Sequence, residues 1–317
     1  MSRIVVAEFL PEAALALLRD AGEVVAGADL HARRADLLEQ LADAEALLVR
    51  NQTRVDAELL AAAPRLRVIG RVGAGLDNFD LGALRERDIV LTCSPGANAA
   101  SVAEYVLGAI LTVYRRFGSV ASQAAAGLWD REAATGREAY GKVLGIIGLG
   151  DIGARVAVRA KAFGMTLLAT DPHLHPASFA VQEHGVTLVP LEALLERSDV
   201  VTLHPPLTPG TRHLIGPREV ALMKRGALLI NTGRGGLVDE AALAAGLREG
   251  RPGTAVLDVR DPEPPTADDP LRGLPNVLLT PHVAGVTHEA LERGACQVAR
   301  DVVGALAGRR PAGAVPL

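Results

Sequence analysis

The chain has 317 residues, of which 49% are hydrophobic and 22% charged, with a formal net charge of −4 at pH 7. This length predicts two domains, and this composition is typical of a soluble globular protein. A slightly acidic chain without a basic run has no electrostatic basis for binding nucleic acid or an anionic membrane.

The cysteine content and the N-terminal sequence bear on the cellular location, membrane insertion and metal content of the protein. Cys93 and Cys296 are the only cysteines, too few for a disulfide framework or a cysteine-rich metal cluster. The first twenty residues lack the pattern of a signal peptide, and no stretch reaches about 18 uncharged apolar residues. We therefore expect a cytoplasmic protein with no transmembrane helix and no metal.

Residues 1–98 alternate short apolar runs with helical patterns. The predicted strands are Arg3–Ala7, Ala46–Val49, Leu66–Arg71 and Ile89–Thr92, and the predicted helices are Pro11–Ala21, Ala35–Leu41 and Asp56–Ala62. Strands that alternate with helices predict a parallel sheet covered on both faces. This part of the chain therefore predicts a first small α/β domain.

Two loops of this domain are unusual for simple connections. Arg50 directly follows the strand Ala46–Val49, and a glycine loop with Ala74 and Gly75 follows the strand Leu66–Arg71. Open α/β sheets bind ligands beyond the carboxyl ends of their strands. A solvated arginine and an ordinary glycine turn explain the same residues, so both interpretations stay open at this point.

The segment Ser101–Arg116 predicts a mainly apolar, buried helix. Ser101 fits its N-cap, with Glu104 completing a capping box. We place a domain boundary just before this helix, at Asn98, so that residues 99–286 form a second domain. A long final helix, Thr287–Leu306, is long enough to return residues 287–317 to the first domain.

The second domain is organised around a G-x-G-x-x-G sequence, Gly148 to Gly153, between an apolar run and a helical pattern. Gly148 permits the tight turn, Gly150 lets a pyrophosphate approach the backbone, and Gly153 lets the helix pack closely. A second apolar run then ends at Asp171, where a carboxylate can accept hydrogen bonds from a ribose. This context predicts a dinucleotide site; a glycine-rich turn without a ligand is the alternative.

The strand and helix alternation continues after the glycine motif. Strands are predicted at 143–147, 166–170, 200–203, 227–231, 254–257 and 277–279. Six strands in this pattern are typical of a doubly wound dinucleotide domain. The predicted fold class is therefore α/β, with two doubly wound parallel-sheet domains.

Three predicted strands of this domain end in polar residues. The first is followed by Arg234, the next by Glu263, and the last by His282. A histidine can exchange the proton of an alkoxide, a carboxylate beside it raises its pKa, and an arginine can hold a substrate carboxylate. Each residue alone has a structural explanation, but the three together beside a dinucleotide motif predict hydride transfer to a ketone. His204, at another strand end, is interpreted as a wall of the cofactor pocket.

The sequence resembles the D-isomer-specific 2-hydroxyacid dehydrogenase family over nearly its whole length. The resemblance is carried by a series of segments in the family's order: Arg71–Asp80, Ser101–Tyr105, Gly141–Gly153, Ser198–Thr211, Asn231–Asp239, Leu257–Pro265 and Pro281–Thr287. It implies a Rossmann NAD-binding domain inserted into a flavodoxin-like substrate domain. In this fold residues 99–286 bind the cofactor, and residues 1–98 with 287–317 form the substrate domain.

The resemblance also assigns the site residues. It implies that Arg234, Glu263 and His282 are catalytic, with Arg234 and His282 also contacting substrate. The implied cofactor-binding residues are Gly148, Gly150, Asp151, Ile152, Gly153, Asp171, His204, Pro205, Thr232, Gly233, Asp258 and Gly285. The implied substrate-binding residues of the first domain are Arg50, Ala74, Gly75 and Asn98. Arg260 and Asp261 replace a more usual Phe-acid pair, so that loop is expected to differ in shape.

Arg50 and Asn98 resemble the 3-phosphoglycerate dehydrogenase branch, in a short form without the regulatory domain. The resemblance implies a small 2-hydroxy or 2-oxo acid substrate, with a second anionic group as in 3-phosphoglycerate. Sulfolactate dehydrogenase and glyoxylate/hydroxypyruvate reductase are alternatives within the family, and an NAD(H)-sensing corepressor-like scaffold is an alternative of a different class. The resemblance further implies NAD as cofactor and a homodimer formed through residues 101–140; the identity of the substrate stays open.

Overall fold

A computed structural model describes residues 2–317, except for the side chains of residues 179 and 180. The chain forms two compact units: residues up to Asn98 with Val286–Leu317 form the first, and Ala99–Gly285 form the second. The boundary predicted between residues 286 and 287 differs by one residue. Val286 directly precedes the N-cap of the last helix, Thr287, and belongs with it to the first unit.

The first unit is a five-stranded parallel sheet with helices on both faces. Its strands are β1 (Ser2–Val6), β2 (Gly22–Ala26), β3 (Ala46–Val49), β4 (Val68–Arg71) and β5 (Val90–Cys93). Its helices are α1 (Glu12–Arg19), α2 (Arg34–Leu41), α3 (Ala57–Ala62), α4 (Leu81–Glu86) and, from the end of the chain, α12 (His288–Leu306). The strand order is β2-β1-β3-β4-β5, the doubly wound order typical of flavodoxin-like domains.

Burial on both faces explains the short apolar strands of this sheet. Ile4 and Val6 pack on one face with α12, whereas Val5 packs on the other with α2. Gly70 of β4 lets α12 approach closely, because a Cβ there would lie 2.5 Å from a methyl of Val298. The edge strand β2 is missing from the sequence-based prediction because it is only partly buried and contains Glu23.

The second unit is a seven-stranded parallel sheet with helices. Its strands are β6 (Val143–Ile147), β7 (Thr166–Thr170), β8 (Thr187–Leu188), β9 (Val200–Leu203), β10 (Leu228–Asn231), β11 (Thr254–Leu257) and β12 (Val277–Leu279). Its helices are α5 (Ala99–Arg115), α6 (Phe117–Ala125), α7 (Asp151–Ala162), α8 (Phe179–Gln182), α9 (Leu191–Arg197), α10 (Pro217–Leu222) and α11 (Glu240–Glu249).

The strand order of this sheet, β12-β11-β10-β9-β6-β7-β8, determines where a ligand can bind. Numbered from β6, it is the order of a doubly wound dinucleotide domain with one strand added at an edge. The direction of winding reverses between β6 and β9, so the crevice for a ligand lies beyond the carboxyl ends of these strands. The two-residue strand β8 is too short to be predicted from sequence.

The helix α5 corrects one detail of the sequence-based prediction. It begins at Ala99, so Ser101 lies inside its first turn and is not the N-cap. Glu104 forms an ion pair with Arg159 of α7 at 3.2 Å. Val106 and Ile110 are fully buried, as the apolar pattern predicts. None of the described helices is both long and apolar enough to span a membrane.

Candidate active site

The glycine loop between β6 and α7 has the geometry that its sequence predicts. Gly148 has a positive φ of 85°, and a Cβ there would lie 2.8 Å from the nitrogen of Pro205. A Cβ on Gly153 would lie 2.2 Å from the carbonyl oxygen of Gly148, so only glycine allows α7 to pack so closely. A Cβ on Gly150 would meet no atom within 4 Å in the described part of the chain, apart from its immediate neighbours. This open side of the loop suits a phosphate on the exposed N–H groups.

Asp171, predicted to bind the ribose, lies beside this loop at the end of β7. Its two oxygens accept hydrogen bonds from the amides of Leu149 and His173, each at 2.9 Å. The carboxylate is therefore fixed against the glycine loop and retains lone pairs for ribose hydroxyls. Asp151 and Ile152 form the first turn of α7, where Asp151 pairs with Arg155 at 3.1 Å.

His204 and Pro205 follow β9 across the crevice. The His204 amide donates to the carbonyl of Ile147 at 2.8 Å, which ties this loop to the end of β6. Its Nε2 lies 3.0 Å from Oγ1 of Thr202. Desolvation lowers the pKa of His204 to about 3, so this ring is neutral at physiological pH. A neutral ring of this kind is unsuited to donating a proton, and the predicted position in a pocket wall stays a prediction.

The loop after β10 is shaped by a side chain that the prediction does not assign. The amide of Asn231 donates to the carbonyl of Arg234 at 2.9 Å, and its carbonyl accepts from Gly233 at 3.0 Å. Thr232 is buried, and its Oγ1 has no hydrogen-bond partner in the described part of the chain. A buried hydroxyl without a partner is costly, which fits a polar ligand such as a nicotinamide cofactor. Arg234 follows, half-buried, with Nη1 donating to the carbonyl of Gly233 at 2.8 Å.

The structure brings together Glu263 and His282, whose proximity sequence alone does not establish. Strands β10, β11 and β12 are neighbours in the sheet, so the loops that follow them meet at one edge. Glu263 Oε2 lies 2.8 Å from Nδ1 of His282, and the side chains are 37% and 44% exposed. With Nδ1 donating to the carboxylate, Nε2 is the ring nitrogen available for proton exchange.

The electrostatics of this pair suit an acid/base. The hydrogen bond to Glu263 raises the pKa of His282; burial opposes this rise, and so does the charge of Arg234. Burial works to raise the pKa of Glu263, but hydrogen bonds from His282 and the Arg260 amide outweigh it and lower that pKa. The pair is therefore a carboxylate next to an imidazole whose protonated form is favoured.

The His282 loop is fixed by Asp258, a buried carboxylate at the end of β11. One oxygen of Asp258 accepts from Oγ1 of Thr280 at 2.6 Å and from the Val283 amide at 2.8 Å, and the other accepts from Ala284 at 2.8 Å. His282 itself has a positive φ of 56°, which the clamped loop sustains. Asp258 therefore organises the His282 loop, which ends at Gly285, and its predicted contact with the cofactor stays a prediction.

A hydrogen-bond chain extends this clamp to α5. The Tyr105 hydroxyl lies 2.5 Å from Oγ1 of Thr280. Since Thr280 donates to Asp258, Tyr105 must donate to Thr280. Desolvation raises the pKa of Tyr105, so the hydroxyl keeps its proton. Sequence reasoning missed this role, and the tyrosine of the Ser101–Tyr105 segment was its only signal.

The loop after β11 contains Arg260 and Asp261, the two residues that depart from the family pattern, and both form ion pairs. Arg260 is buried, and its guanidinium is bound by the carboxylates of Glu240 and Asp269. Asp261 pairs instead with Arg212 at 3.2 Å.

The predicted substrate residues of the first unit follow three neighbouring strands. Arg50 follows β3, Ala74 and Gly75 follow β4, and Asn98 lies beyond β5. The carbonyl of Gly75 accepts from Nε of Arg71 at 2.9 Å. These residues therefore share the carboxyl edge of one sheet, which is the edge that binds ligands in this architecture.

A buried carboxylate that the sequence analysis missed shapes the Arg50 loop. Glu8, 3% exposed, accepts hydrogen bonds from the amides of Arg50 at 2.7 Å and Thr53 at 3.0 Å, and from the Thr53 hydroxyl at 2.8 Å. Asn78 donates to the carbonyl of Thr53 at 2.6 Å. The backbone that carries Arg50 is therefore held by partners 25 to 45 residues away along the chain.

The chain is similar to known proteins over most of its length. The model of the D-isomer specific 2-hydroxyacid dehydrogenase NAD-binding domain matches residues 107–284. (S)-sulfolactate dehydrogenase of Chromohalobacter salexigens is 48% identical over 92% of this chain and 94% of its own length. D-3-phosphoglycerate dehydrogenase of Methanocaldococcus jannaschii is 43% identical over 97% of this chain, which spans only 58% of that protein.

A solved structure supports the cofactor. D-lactate dehydrogenase from Aquifex aeolicus, in complex with NAD and lactic acid, superposes with a TM-score of 0.81 and 29% identity, covering 97% of this chain and 96% of that one. No cluster of three or more His, Cys, Asp or Glu suited to a metal occurs in the part of the chain that the structure describes.

Proposed function

The chain belongs to the D-isomer specific 2-hydroxyacid dehydrogenase family, and on that premise we propose that it oxidises or forms a small 2-hydroxy acid at C2 with NAD. The observation that carries this proposal is the 2.8 Å contact between His282 and Glu263 at the sheet edge shared with the Arg234 loop. Bound NAD supplies the hydride acceptor. The chain's own residues then have to bind the acid and move one proton.

The proposed reaction divides its tasks among His282, Glu263 and Arg234. In the oxidation direction His282 Nε2 accepts the hydroxyl proton while hydride leaves C2; in reduction it returns a proton to the alkoxide oxygen. Glu263 orients the ring and stabilises the imidazolium. Arg234 binds the substrate carboxylate and polarises the carbonyl.

We further propose that the substrate carries a second anionic group bound by Arg50. The placement of Arg50 beyond β3, on a loop held by Glu8 and Asn78, supports this. Two acids fit: 3-phosphoglycerate and sulfolactate. The relative named sulfolactate dehydrogenase favours the second, because the similarity covers nearly the whole of both chains.

A panel of 2-oxo acids assayed with NADH tests both proposals. The panel is 3-phosphohydroxypyruvate, sulfopyruvate, hydroxypyruvate and glyoxylate. We expect the two acids with a second anionic group, 3-phosphohydroxypyruvate and sulfopyruvate, to have the higher kcat/KM, and Arg50→Met to remove that preference while sparing glyoxylate. Preference for glyoxylate or hydroxypyruvate by the wild type would contradict the second anionic group. Absence of NADH oxidation with every acid would contradict the enzyme and favour an NAD(H)-sensing scaffold.

NADH should be preferred over NADPH by roughly 10²-fold or more in kcat/KM. Asp171 accepts amide hydrogen bonds through both oxygens beside the glycine loop, so a 2′-phosphate would be repelled by its charge. Asp171→Ala should reduce kcat/KM with NADH much more than with NADPH. Steady-state kinetics with both cofactors measure this, and equal use of the two by the wild type would contradict it.

Glu263→Gln should move the pH dependence of kcat/KM to lower pH. The carboxylate raises the pKa of His282, so removing its charge lowers that pKa. Oxidation needs neutral His282 and rises with pH through the pKa; reduction needs the imidazolium and falls. Both limbs therefore shift toward acid. Overlapping profiles for the variant and the wild type would show that the pair does not set the pKa.

We propose a homodimer formed through α6 and the segment that follows it. Four large apolar side chains there are highly exposed: Phe117 54%, Leu128 61%, Trp129 84% and Tyr140 74%. Exposed aromatic clusters of this kind mark interaction surfaces.

We also propose a cytoplasmic location. The free thiols of Cys93 and Cys296 support a reducing compartment.

Light scattering should give a mass twice the 33.0 kDa of one chain. Trp129→Glu should shift the mass to the monomer, because burying a carboxylate in an apolar interface is costly. The matched control is Phe9→Glu, an equally apolar exposed site of the first unit, which should leave the dimer intact. A monomeric wild type at micromolar concentration would overturn the proposal.

A further inference from the structure

A buried ionic cluster lies beneath the Glu263 loop. The guanidinium of Arg260 donates from Nε and Nη2 to the two oxygens of Glu240 at 2.9 and 2.8 Å. It also donates from Nη1 and Nη2 to the oxygens of Asp269 at 3.2 and 2.6 Å. Side-chain exposures of Arg260, Glu240 and Asp269 are 6%, 13% and 6%. This is a doubly bidentate arrangement, unlike the exposed ion pairs elsewhere in the unit.

The cluster joins three separate segments of the second unit. Glu240 is the first residue of α11, Arg260 follows β11, and Asp269 lies in the connection before β12. Buried ion pairs contribute little net stability compared with apolar packing, because desolvation offsets the attraction. Their geometry is nevertheless specific, since the planar fork binds each carboxylate in one orientation. The cluster is therefore suited to fixing the backbone of the loop.

The backbone that the cluster fixes carries the partner of His282. The Arg260 amide donates to Oε1 of Glu263 at 2.8 Å, while Oε2 of Glu263 contacts Nδ1 of His282. The Asp261 amide donates to Oε1 of Glu240 at 3.2 Å. One short peptide segment thus connects the buried guanidinium to the catalytic carboxylate.

The same segment supports the Arg234 loop. A Cβ on Gly235 would lie 2.0 Å from the carbonyl carbon and oxygen of Arg260. Gly235 therefore rests directly against the Arg260 backbone, one residue from Arg234. A displacement of Arg260 would reach both Glu263 and Arg234.

We propose that Arg260, held by Glu240 and Asp269, is a positioning residue that fixes Glu263 against His282 through the Arg260 amide. This inference rests on the proposed function of the His282 site. Arg260 does not itself contact the imidazole. Its role is to fix the carboxylate that orients the ring, in a loop where Arg260 and Asp261 depart from the family pattern.

The charged groups around His282 and around Arg260 show that the pKa of His282 is the quantity to measure. His282 faces Glu263, Asp258 and Arg234. Arg260 faces Glu240 and Asp269, and the positive charge of Arg272 also acts on Asp269. Loosening the Arg260 segment leaves Asp258 in place and weakens the contact with Glu263, whose hydrogen bond is the largest influence that raises the pKa of His282. The pKa of His282 should then fall.

Two variants that retain a paired charge in the cluster test the proposal. Arg260→Lys keeps the cation but loses the planar fork, and Glu240→Ala leaves the Arg260–Asp269 pair intact. We expect both to lower the pKa of His282 in an NMR titration of the imidazole. We also expect kcat/KM at neutral pH to fall by about 10- to 100-fold, as for a displaced catalytic group. Arg212→Met is the matched control, since it removes the exposed pair with Asp261 in the same loop and should leave the titration unchanged.

A double variant separates positioning from general destabilisation. In a Glu263→Gln background, Arg260→Lys should change the pKa of His282 no further, because the carboxylate it positions is gone. An unchanged titration in both single variants would overturn the proposal, and so would an equal shift in Arg212→Met. The titration needs no substrate, so its outcome is independent of whether the proposed reaction is correct.

Discussion

His282→Ala is expected to lower kcat by about 10²–10⁴-fold, the usual contribution of a positioned general acid or base. The imidazole carries the only proton exchange that we propose, and Glu263 at 2.8 Å fixes its tautomer and raises its pKa. Affinity for NADH, measured by fluorescence titration, should be nearly unchanged. The glycine loop and Asp171, which we expect to supply most cofactor contacts, do not involve His282.

The control for this variant is His288→Ala, at the start of α12. This exposed histidine should be replaceable without a change in kcat. The pH dependence offers a second check, because the limb assigned to His282 should vanish from the residual activity of His282→Ala. A kcat within about tenfold of the wild type would contradict the assignment, since it lies below the contribution of a general acid.

Arg234→Ala is expected to raise KM steeply and also to lower kcat. A guanidinium that binds the substrate carboxylate acts in both the ground state and the transition state. Loss of a charge-assisted, bidentate contact should reduce kcat/KM by roughly 10²–10³-fold, about 3–4 kcal/mol. Steady-state kinetics with a saturating cofactor measure both parameters.

Arg234→Lys separates charge from geometry at this position. Lysine retains the positive charge but cannot bind a carboxylate through two parallel N–H groups. We expect it to recover part of the KM loss and little of the kcat loss. An unchanged KM in Arg234→Ala would show that another cation binds the carboxylate and would remove Arg234 from the substrate site.

The sequence by itself determined the fold class, the glycine loop and the carboxyl ends of the strands β10, β11 and β12. These features depend on local signals: apolar runs buried on both faces of a parallel sheet, and glycines where a turn or close packing excludes a side chain. The positive φ of Gly148 and the contact of Gly153 with Gly148 confirm that reasoning. The sequence-based prediction missed the half-buried strand β2 and the short strand β8, because their apolar patterns are too weak.

Only the tertiary structure decided which side chains meet. The Glu263–His282 contact requires β11 and β12 to be neighbours, and strand order is not encoded in local periodicity. The partners of the remaining buried polar groups are equally distant along the chain: Tyr105 and Thr280 lie 175 residues apart, and Arg50 and Glu8 lie 42 apart. Arg260 is the clearest example of a side chain whose contacts the sequence does not reveal. Sequence marks it as a departure from the family, but its burial between Glu240 and Asp269 follows from packing, because a guanidinium is buried at acceptable cost only where hydrogen-bond acceptors converge on it.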